Sequence, residues 1–191
     1  MISFILVNNN RKDIVYKVLQ AVSKSIVEEN FEVILMDNKS QDGSREIFHQ
    51  LDHDVSWLRY HYQDRRENLA TLYNRAAKLA KGEVLVFLDS TIQIEERGLD
   101  RFIKTELLDD TGILVPQILS EDNRQHAEGI LIVPRADFVR CFGFDEASTN
   151  YWADFFEKLS EVTGKKIVHS TTYKVRTSSE KMSFAKRFFN L

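Results

Sequence analysis

The sequence contains only one cysteine, Cys141, so it cannot form an internal disulfide framework. A single thiol is typical of a protein in a reducing compartment. The formal net charge is −3, without the basic excess of a nucleic-acid-binding protein. The apolar run after Met1, residues 2–7, is too short for the core of a signal peptide or for a membrane span. The sequence therefore predicts a cytoplasmic protein with no nucleic-acid partner.

Glycine is missing from the turn that follows the first apolar run, which reads VNNNRKD over residues 7–13. A dinucleotide-binding domain needs glycines at this point, because the backbone must approach the pyrophosphate closely. The chain has no Walker phosphate-binding loop either. NAD, FAD and P-loop nucleotide binding are therefore not expected.

The chain contains short apolar runs that are separated by amphipathic segments. ISFILV, FEVILM and EVLVFLD show no polar alternation, which is typical of strands buried on both faces. VSWLRYHY alternates more and predicts a strand nearer an edge. The intervening segments carry apolar residues at helical spacing. We expect one α/β domain, residues 1–175, with a mostly parallel sheet covered by helices on both faces, and a tail at 176–191.

Residue types at the segment ends predict several boundaries. Asp13 or Asn10 can cap the first helix, and Gly82 suits the position just after the third. GILVPQILSEDNRQHAEGILIVPRADFV predicts two strands around a polar turn, with a proline near the edge of each. A later helix should end near Gly164, before a last strand, KIVHS.

Polar residues follow the buried strands, as NNN, DNKS and DST. Ligands of open α/β sheets bind beyond the carboxyl ends of the strands, so these segments are the candidate site. Asp37 and Asn38 can hydrogen-bond a base or a ribose there. Alternatively, they form an Asx turn before the next helix.

Several motifs, in order from residue 2 to about residue 170, resemble those of the family 2 glycosyltransferases. SFILVNNNR is similar to the opening strand with its Asn-Arg end, and FEVILMDNKSQDGS to the family's second strand and its Asp-Gly-Ser turn. ENLATLYNRAAKLAKGEVLVFLD resembles the helix and strand that lead to the metal motif. QHAEG is similar to a segment of the rhamnosyltransferase-like branch, and GFDE and GKKIVHS resemble later elements.

The resemblance implies the GT-A fold and a donor such as a UDP- or dTDP-sugar. It implies transfer to a glycan or lipid-linked acceptor, in cell-surface polysaccharide biosynthesis. Asp89 would lie beside the diphosphate and a Mg²⁺ or Mn²⁺ ion that neutralises it, while a carboxylate accepts the acceptor's proton. The other implied nucleotide-sugar-binding residues are Asn8, Asn10, Asp37, Asn38, Asn68 and Asn74.

The sequence departs from the family pattern at the metal and base motifs. Thr91 stands where the family usually has a second acidic ligand. One carboxylate can suffice, since Mg²⁺ is often held by one or two carboxylates and substrate phosphates. The acidic pair that supplies the base falls on Tyr151, Trp152 or Ala153, which leaves Asp154 as the nearest substitute. Asp154 is otherwise a solvated carboxylate at a helix start.

The segment after QHAEG is also shorter than in relatives, so the acceptor side is expected to be reduced. Together these departures support a second hypothesis: a catalytically degenerate module that binds a sugar nucleotide or a protein partner. Glu95 or Glu96 could replace the missing metal ligand, but a solvated helix start is the simpler interpretation.

Three further features have alternative interpretations. His49 and His53 have the spacing of a zinc site but no evident third ligand. His126 could approach a phosphate or the acceptor, or simply bond to backbone. The tail has Phe184, Phe188 and Leu191 at helical spacing beside basic residues, as in a helix on an anionic membrane; docking on the domain or on another subunit is the alternative.

Overall fold

The computed structural model describes residues 1–28, 30–119 and 129–177. The described strands are β1 Ile2–Asn8, β2 Phe31–Asp37, β3 Leu58–Tyr62, β4 Val84–Leu88, β5 Ile92–Gln93, β6 Thr111–Leu119, β7 Ile130–Pro134 and β8 Lys166–Thr177. The helices are α1 Lys12–Ser25, α2 Ser44–Asp54, α3 Leu69–Leu79, α4 Leu99–Glu106, α5 Arg135–Arg140 and α6 Tyr151–Thr163. His126 and almost all of the predicted tail lie outside these residues, and the boundary at residue 175 stays a prediction.

The strands form one sheet in the order β3-β2-β1-β4-β7-β6-β8-β5. The first four strands in this order are parallel. β7 then lies antiparallel between β4 and β6, while β8 runs parallel to β6. The predicted α/β fold with a mostly parallel sheet is thus confirmed, and the carboxyl ends of β1, β2 and β4 lie at one edge.

Helices cover both faces of the sheet, which explains why its first strands are continuously apolar. Alternate residues of β1 enter two separate cores: Phe4 and Leu6 join one, and Ile5 joins the other. The first core receives α1, α2 and α4, and the second receives α3, α5 and α6. None of the helices in the described ranges is both long enough and apolar enough to span a membrane.

The start of α1 is not capped as predicted. Arg11 is the N-cap residue and makes no side-chain cap hydrogen bond, so neither Asn10 nor Asp13 fills that role. The backbone N–H of Lys12 instead donates to Asp42 Oδ2 at 2.9 Å. A carboxylate from the turn after β2 thus accepts a hydrogen bond from a backbone N–H at the start of the helix. This partner is 30 residues away in the sequence, so a local pattern does not reveal it.

Gly82 does not end α3, because Ala80 is the C-cap residue. The glycine is required for space: a Cβ at this position would lie 2.6 Å from Ser3 Oγ and 2.8 Å from the Met1 carbonyl oxygen. Its N–H donates to Ser3 Oγ at 2.8 Å, which joins the turn before β4 to the start of β1.

The second half of the chain also differs in detail from the prediction. Pro116 lies inside β6 rather than near its edge, and the pairing with β8 is irregular between Val115 and Gln117. Proline has no N–H to donate, so a break in the ladder accommodates it. Pro134 is the last residue of β7, as expected. α6 ends before the left-handed Gly164, also as predicted, and KIVHS is only the first part of β8.

Gly82→Ala should lower the free energy of unfolding by about 1–3 kcal/mol, because the added methyl group overlaps backbone atoms that cannot move independently. Chemical denaturation monitored by circular dichroism measures this change. Lys81→Ala in the same turn is the control, since its exposed side chain should change stability by less than about 0.5 kcal/mol. Equal stability of the two variants would contradict the close-approach explanation.

Candidate functional site

A cavity of about 90 Å³ opens at the carboxyl ends of β1 and β4. Its walls come from the end of β1, the turn into α1, the first turns of α3 and the turn after β4. The residues that line it are Val7, Asn9, Arg11, Leu69, Tyr73, Asp89, Ser90 and Thr91. The cavity therefore lies where ligands of parallel α/β sheets bind, and it contains Asp89, the predicted diphosphate and metal residue.

Asp89 shapes a tight turn after β4. Its Oδ1 accepts hydrogen bonds from Thr91 N at 2.8 Å and from Thr91 Oγ1 at 2.5 Å. Its own N–H donates to the Gly129 carbonyl oxygen at 2.7 Å, and its carbonyl oxygen accepts from Ile92 N at 3.1 Å. Thr91, at the position of the expected second metal ligand, thus bonds to the first.

Asn8 and Asp37 are fully buried and bond to each other across the ends of β1 and β2. Asn8 Nδ2 lies 2.9 Å from Asp37 Oδ2 and also donates towards the hydroxyl oxygens of Ser40 and Ser44. Asp37 Oδ1 accepts from Ser40 N at 2.7 Å, as in an Asx turn. Burial, together with the nearby Asp37 carboxylate, raises the pKa of Tyr60. Asn8 and Asp37 hold the strand-end loops and do not line the cavity.

Asn38 and Asn10 likewise hold loops in place. Asn38 Nδ2 donates to the Glu67 carbonyl oxygen, and Glu67 N donates to Asn38 Oδ1, both at 2.9 Å. Asn10 is exposed in a left-handed conformation, and its Oδ1 accepts from Gln41 N at 2.7 Å. Contact of any of these four residues with a nucleotide stays a prediction.

Asn68 precedes α3 and Asn74 lies on it, both beside the loop between α5 and α6. Asn68 caps α3 by accepting from Thr71 N at 2.7 Å, and its Nδ2 donates to the Glu146 carbonyl oxygen. Asn74 is buried: its Nδ2 donates to the Phe144 carbonyl oxygen and to Glu146 Oε1, and its Oδ1 accepts from Phe144 N. Hydrogen bonds from Asn74 and then Thr71 lower the pKa of Glu146.

The GFDE motif is therefore a latch between α3 and the chain that enters α6. Gly143 is required in it, since its φ is +70° and a Cβ would lie 2.5 Å from Asn74 Oδ1. Neither Asn68 nor Asn74 is a residue that lines the cavity. The latch fixes α3, and α3 contributes Leu69 and Tyr73 to the cavity wall.

The sequence places the family's acidic pair on Tyr151, Trp152 or Ala153, and the two aromatic residues among these pack against other rings. The rings of Tyr151 and Trp152 lie 6.3 and 6.2 Å from that of Tyr73, and both also contact Phe144. Asp154 is exposed on the first turn of α6 and does not line the cavity. Its assignment as the base stays a prediction.

The residues at the cavity do not form a cage for a metal ion. The described part of the chain contains no group of three or more His, Cys, Asp or Glu residues placed to hold one. Glu95 pairs with Arg176 at 2.8 Å. The rings of His49 and His53 are 4.9 Å apart on α2. A divalent ion in the cavity would have Asp89 as its single carboxylate ligand from these lining residues.

Three of the side chains that line the cavity, Asn9, Arg11 and Tyr73, are not among the site residues that the sequence predicts. Asn9 and Arg11 belong to the polar NNNR segment that was identified as a strand end, but the pattern did not distinguish Asn9 from its two neighbours. Tyr73 lies one helical turn after Leu69, and the sequence pattern predicts only that it belongs to a helix. Its hydroxyl group donates to the Leu88 carbonyl oxygen at 3.3 Å.

Asn74→Ala should lower the free energy of unfolding by roughly 2 kcal/mol, because it leaves the buried N–H of Phe144 without its acceptor. Thermal and urea unfolding measure the loss. Lys78→Ala, on the exposed side of the same helix, is the matched control and should be nearly neutral. An Asn74→Ala protein as stable as the control would show that the latch contributes no stability.

Known proteins resemble this chain in sequence and in fold. Glycosyltransferase AglE of Haloferax volcanii is 28% identical over 113 residues, which is 59% of this chain and 36% of AglE. The uncharacterized glycosyltransferase YfnE of Bacillus subtilis is 31% identical over 104 residues, 53% of this chain and 26% of YfnE. The chain spans about a third of the length of AglE, and less of YfnE.

Among solved structures, one similar fold is that of the mannosyltransferase PcManGT from Pyrobaculum calidifontis in complex with GDP-Man and Mn²⁺. Its TM-score is 0.78 at 15% identity, and the match covers 92% of this chain and 56% of the PcManGT chain. S. aureus TarS 1-349 in complex with UDP has a TM-score of 0.73 at 17% identity, covering 97% and 63%. These likenesses show a shared fold. The family model described as Glycosyl transferase family 2 matches residues 3–187, and the chain therefore belongs to that family.

Proposed function

We propose that this chain is the donor-binding domain of a glycosyltransferase, which moves a sugar from a nucleoside diphosphate to a glycan or lipid-linked acceptor. The observation that carries the proposal is the cavity at the ends of β1 and β4, with Asn9, Arg11 and Asp89 in its walls. Family membership supports the reaction class. The position of the cavity supports the proposal that the diphosphate binds there.

The donor is proposed to be a UDP- or dTDP-sugar. TarS is a fold relative whose structure holds UDP, and PcManGT is one whose structure holds GDP-Man, so a guanine nucleotide belongs in the same screen. Asn8, Asp37 and Asn38 would act on the nucleoside indirectly, because their buried side chains hold the loops that surround its position. Asn9 and Asn10, at the surface of the same edge, are the residues available for direct contact.

Transfer requires a leaving diphosphate with its charge stabilised and an acceptor hydroxyl group that loses a proton. The binding of Mg²⁺ or Mn²⁺ by Asp89 remains the prediction that the family implies, and PcManGT was solved with Mn²⁺. Asp89 offers such an ion a single carboxylate, with Oδ1 already bonded to Thr91. Asp154 is the carboxylate that we propose as the base.

A second candidate function is a degenerate module that binds a sugar nucleotide or a protein partner without transferring the sugar. The packing of Tyr151 and Trp152, two of the three residues to which the sequence assigns the acidic pair, favours it. Whether Asp154 acts as a general base distinguishes the two candidate functions, because only an active enzyme needs a base. The cytoplasmic location and the contact of the tail with the inner face of the membrane stay predictions from the sequence.

Asn9→Glu should weaken the binding of UDP, dTDP and GDP roughly tenfold or more, because it adds a carboxylate to a cavity that receives a diphosphate. Calorimetric titration of each nucleotide measures the dissociation constant. Gln20→Glu, on the exposed side of α1, adds the same charge away from the cavity and is the control. Equal weakening by both variants, or by neither, would contradict this location of the donor site.

Asp154→Asn should reduce transfer from a sugar nucleotide by roughly 100-fold or more while nucleotide binding is unchanged, since a general base typically contributes that much. The release of the nucleoside diphosphate in the presence of acceptor measures transfer. Glu157→Gln, one turn further along the exposed side of α6, is the matched control. Unchanged transfer in Asp154→Asn would exclude it as the base, and a wild-type chain that binds donor without transferring would favour the module.

A further inference from the structure

In the turn after β4, the residue at the position of the family's second metal ligand bonds to the first. Both Thr91 donors, its N–H and its hydroxyl group, point at Oδ1 of Asp89, and Thr91 is almost completely buried. A threonine in this position adds no negative charge and uses its hydroxyl proton within the turn. The side chains that line the cavity therefore include one carboxylate, from Asp89, and one permanent cation, Arg11.

Arg11 is held at the cavity by its backbone. Its N–H donates to Asn8 Oδ1 at 3.2 Å, and its carbonyl oxygen accepts from Val15 N in the first turn of α1. Asn8 is in turn fixed by Asp37, so the anchor of Arg11 is the buried link between β1 and β2. The half-buried side chain reaches across the cavity, with Nη1 3.5 Å from Ser90 Oγ. Arg11 therefore spans from the end of β1 to the turn that contains Asp89.

We propose that Arg11, rather than a divalent ion, supplies the positive charge that holds the diphosphate of the donor. This inference rests on the proposed function and makes the donor site independent of metal. A guanidinium is always charged and can bond two phosphate oxygens at once, so it provides both charge and orientation.

The first test is calorimetric titration of UDP and GDP with the full chain, in EDTA and then in Mn²⁺. We expect dissociation constants that agree within about threefold in the two buffers, since no step of binding needs the ion. Arg11→Gln should weaken binding roughly 10- to 100-fold in EDTA, the loss typical of a charge-assisted contact. The matched control is Arg101→Gln on α4, which removes a guanidinium that is paired with Glu28 and does not line the cavity. This variant should bind the nucleotides like the wild type.

The second test restores the family's acidic residue. Thr91→Asp should gain dependence on Mn²⁺, with binding at least about tenfold tighter in the metal than in EDTA, because two carboxylates then face the cavity. Arg11→Lys keeps the charge without the bidentate geometry and should bind between the wild type and Arg11→Gln. Circular dichroism of each variant establishes that it is folded before it is titrated.

The outcomes separate this inference from the function on which it rests. Wild-type binding that strengthens tenfold or more with Mn²⁺ would overturn the role of Arg11 and leave the donor site standing. Unchanged binding by a folded Arg11→Gln protein would do the same. No binding of either nucleotide in any buffer would overturn the proposed donor site, and this inference with it.

Discussion

The buried hydrogen bond between Asn8 and Asp37 is the interaction on which the candidate site depends. Both side chains are completely buried, so each polar atom must find a partner inside the protein. The amide of Asn8 bonds to Asp37 and to the serines of the next turn, while its oxygen holds the backbone of Arg11. A hydrogen bond to a buried charge typically contributes about 1.5–3 kcal/mol, and an unmatched partner costs at least as much. The link therefore fixes the turns after β1 and β2 together.

The opposite wall of the cavity depends on the latch around Asn74. This side chain makes hydrogen bonds to both backbone groups of Phe144, and Gly143 has no side chain because Asn74 lies against it. The latch connects α3 to the chain that enters α6, and the aromatic rings of Tyr73, Phe144 and Tyr151 fill the space beneath it. The Asn8–Asp37 hydrogen bond and the latch around Asn74 thus hold elements on opposite sides of the cavity, although none of these three residues lines it.

Much of this architecture was predictable, because burial on both faces produces apolar runs that are visible in the sequence. The carboxyl-end location of the site followed from the same pattern, and the resemblance to family 2 is confirmed. Side-chain direction was not predictable. Asn8 and Asp37 are in-register neighbours in the parallel pairing of β1 and β2 and bond to each other, whereas Asn9 is the one of the three consecutive asparagines that lines the cavity. The register of the strands is needed to tell which residues bond to a neighbouring strand end and which line the cavity, and a single sequence does not provide that register. The start of α1 and the place of Gly82 likewise depend on partners that are distant in the sequence, Asp42 and Ser3.

The motifs that carry the family resemblance describe the scaffold more than the chemistry. Asn74, Gly143 and Glu146 form the latch, and Asp37 and Asn38 hold loops; each matches a family motif and each has its partners inside the protein. Of the departures from the family pattern, Thr91 lines the cavity, and the acidic pair falls on Tyr151, Trp152 or Ala153 at the start of α6. The two aromatic residues of that set pack against Tyr73, which lines the cavity. A scaffold held by buried hydrogen bonds resists substitution, because each change leaves an unsatisfied group. The same constraint applies to some lining residues, since Thr91 is buried and bonded to Asp89, whereas a partly exposed residue such as Asn9 can change at a smaller cost. A match to the family motifs therefore identifies the scaffold and does not by itself determine the chemistry at the cavity.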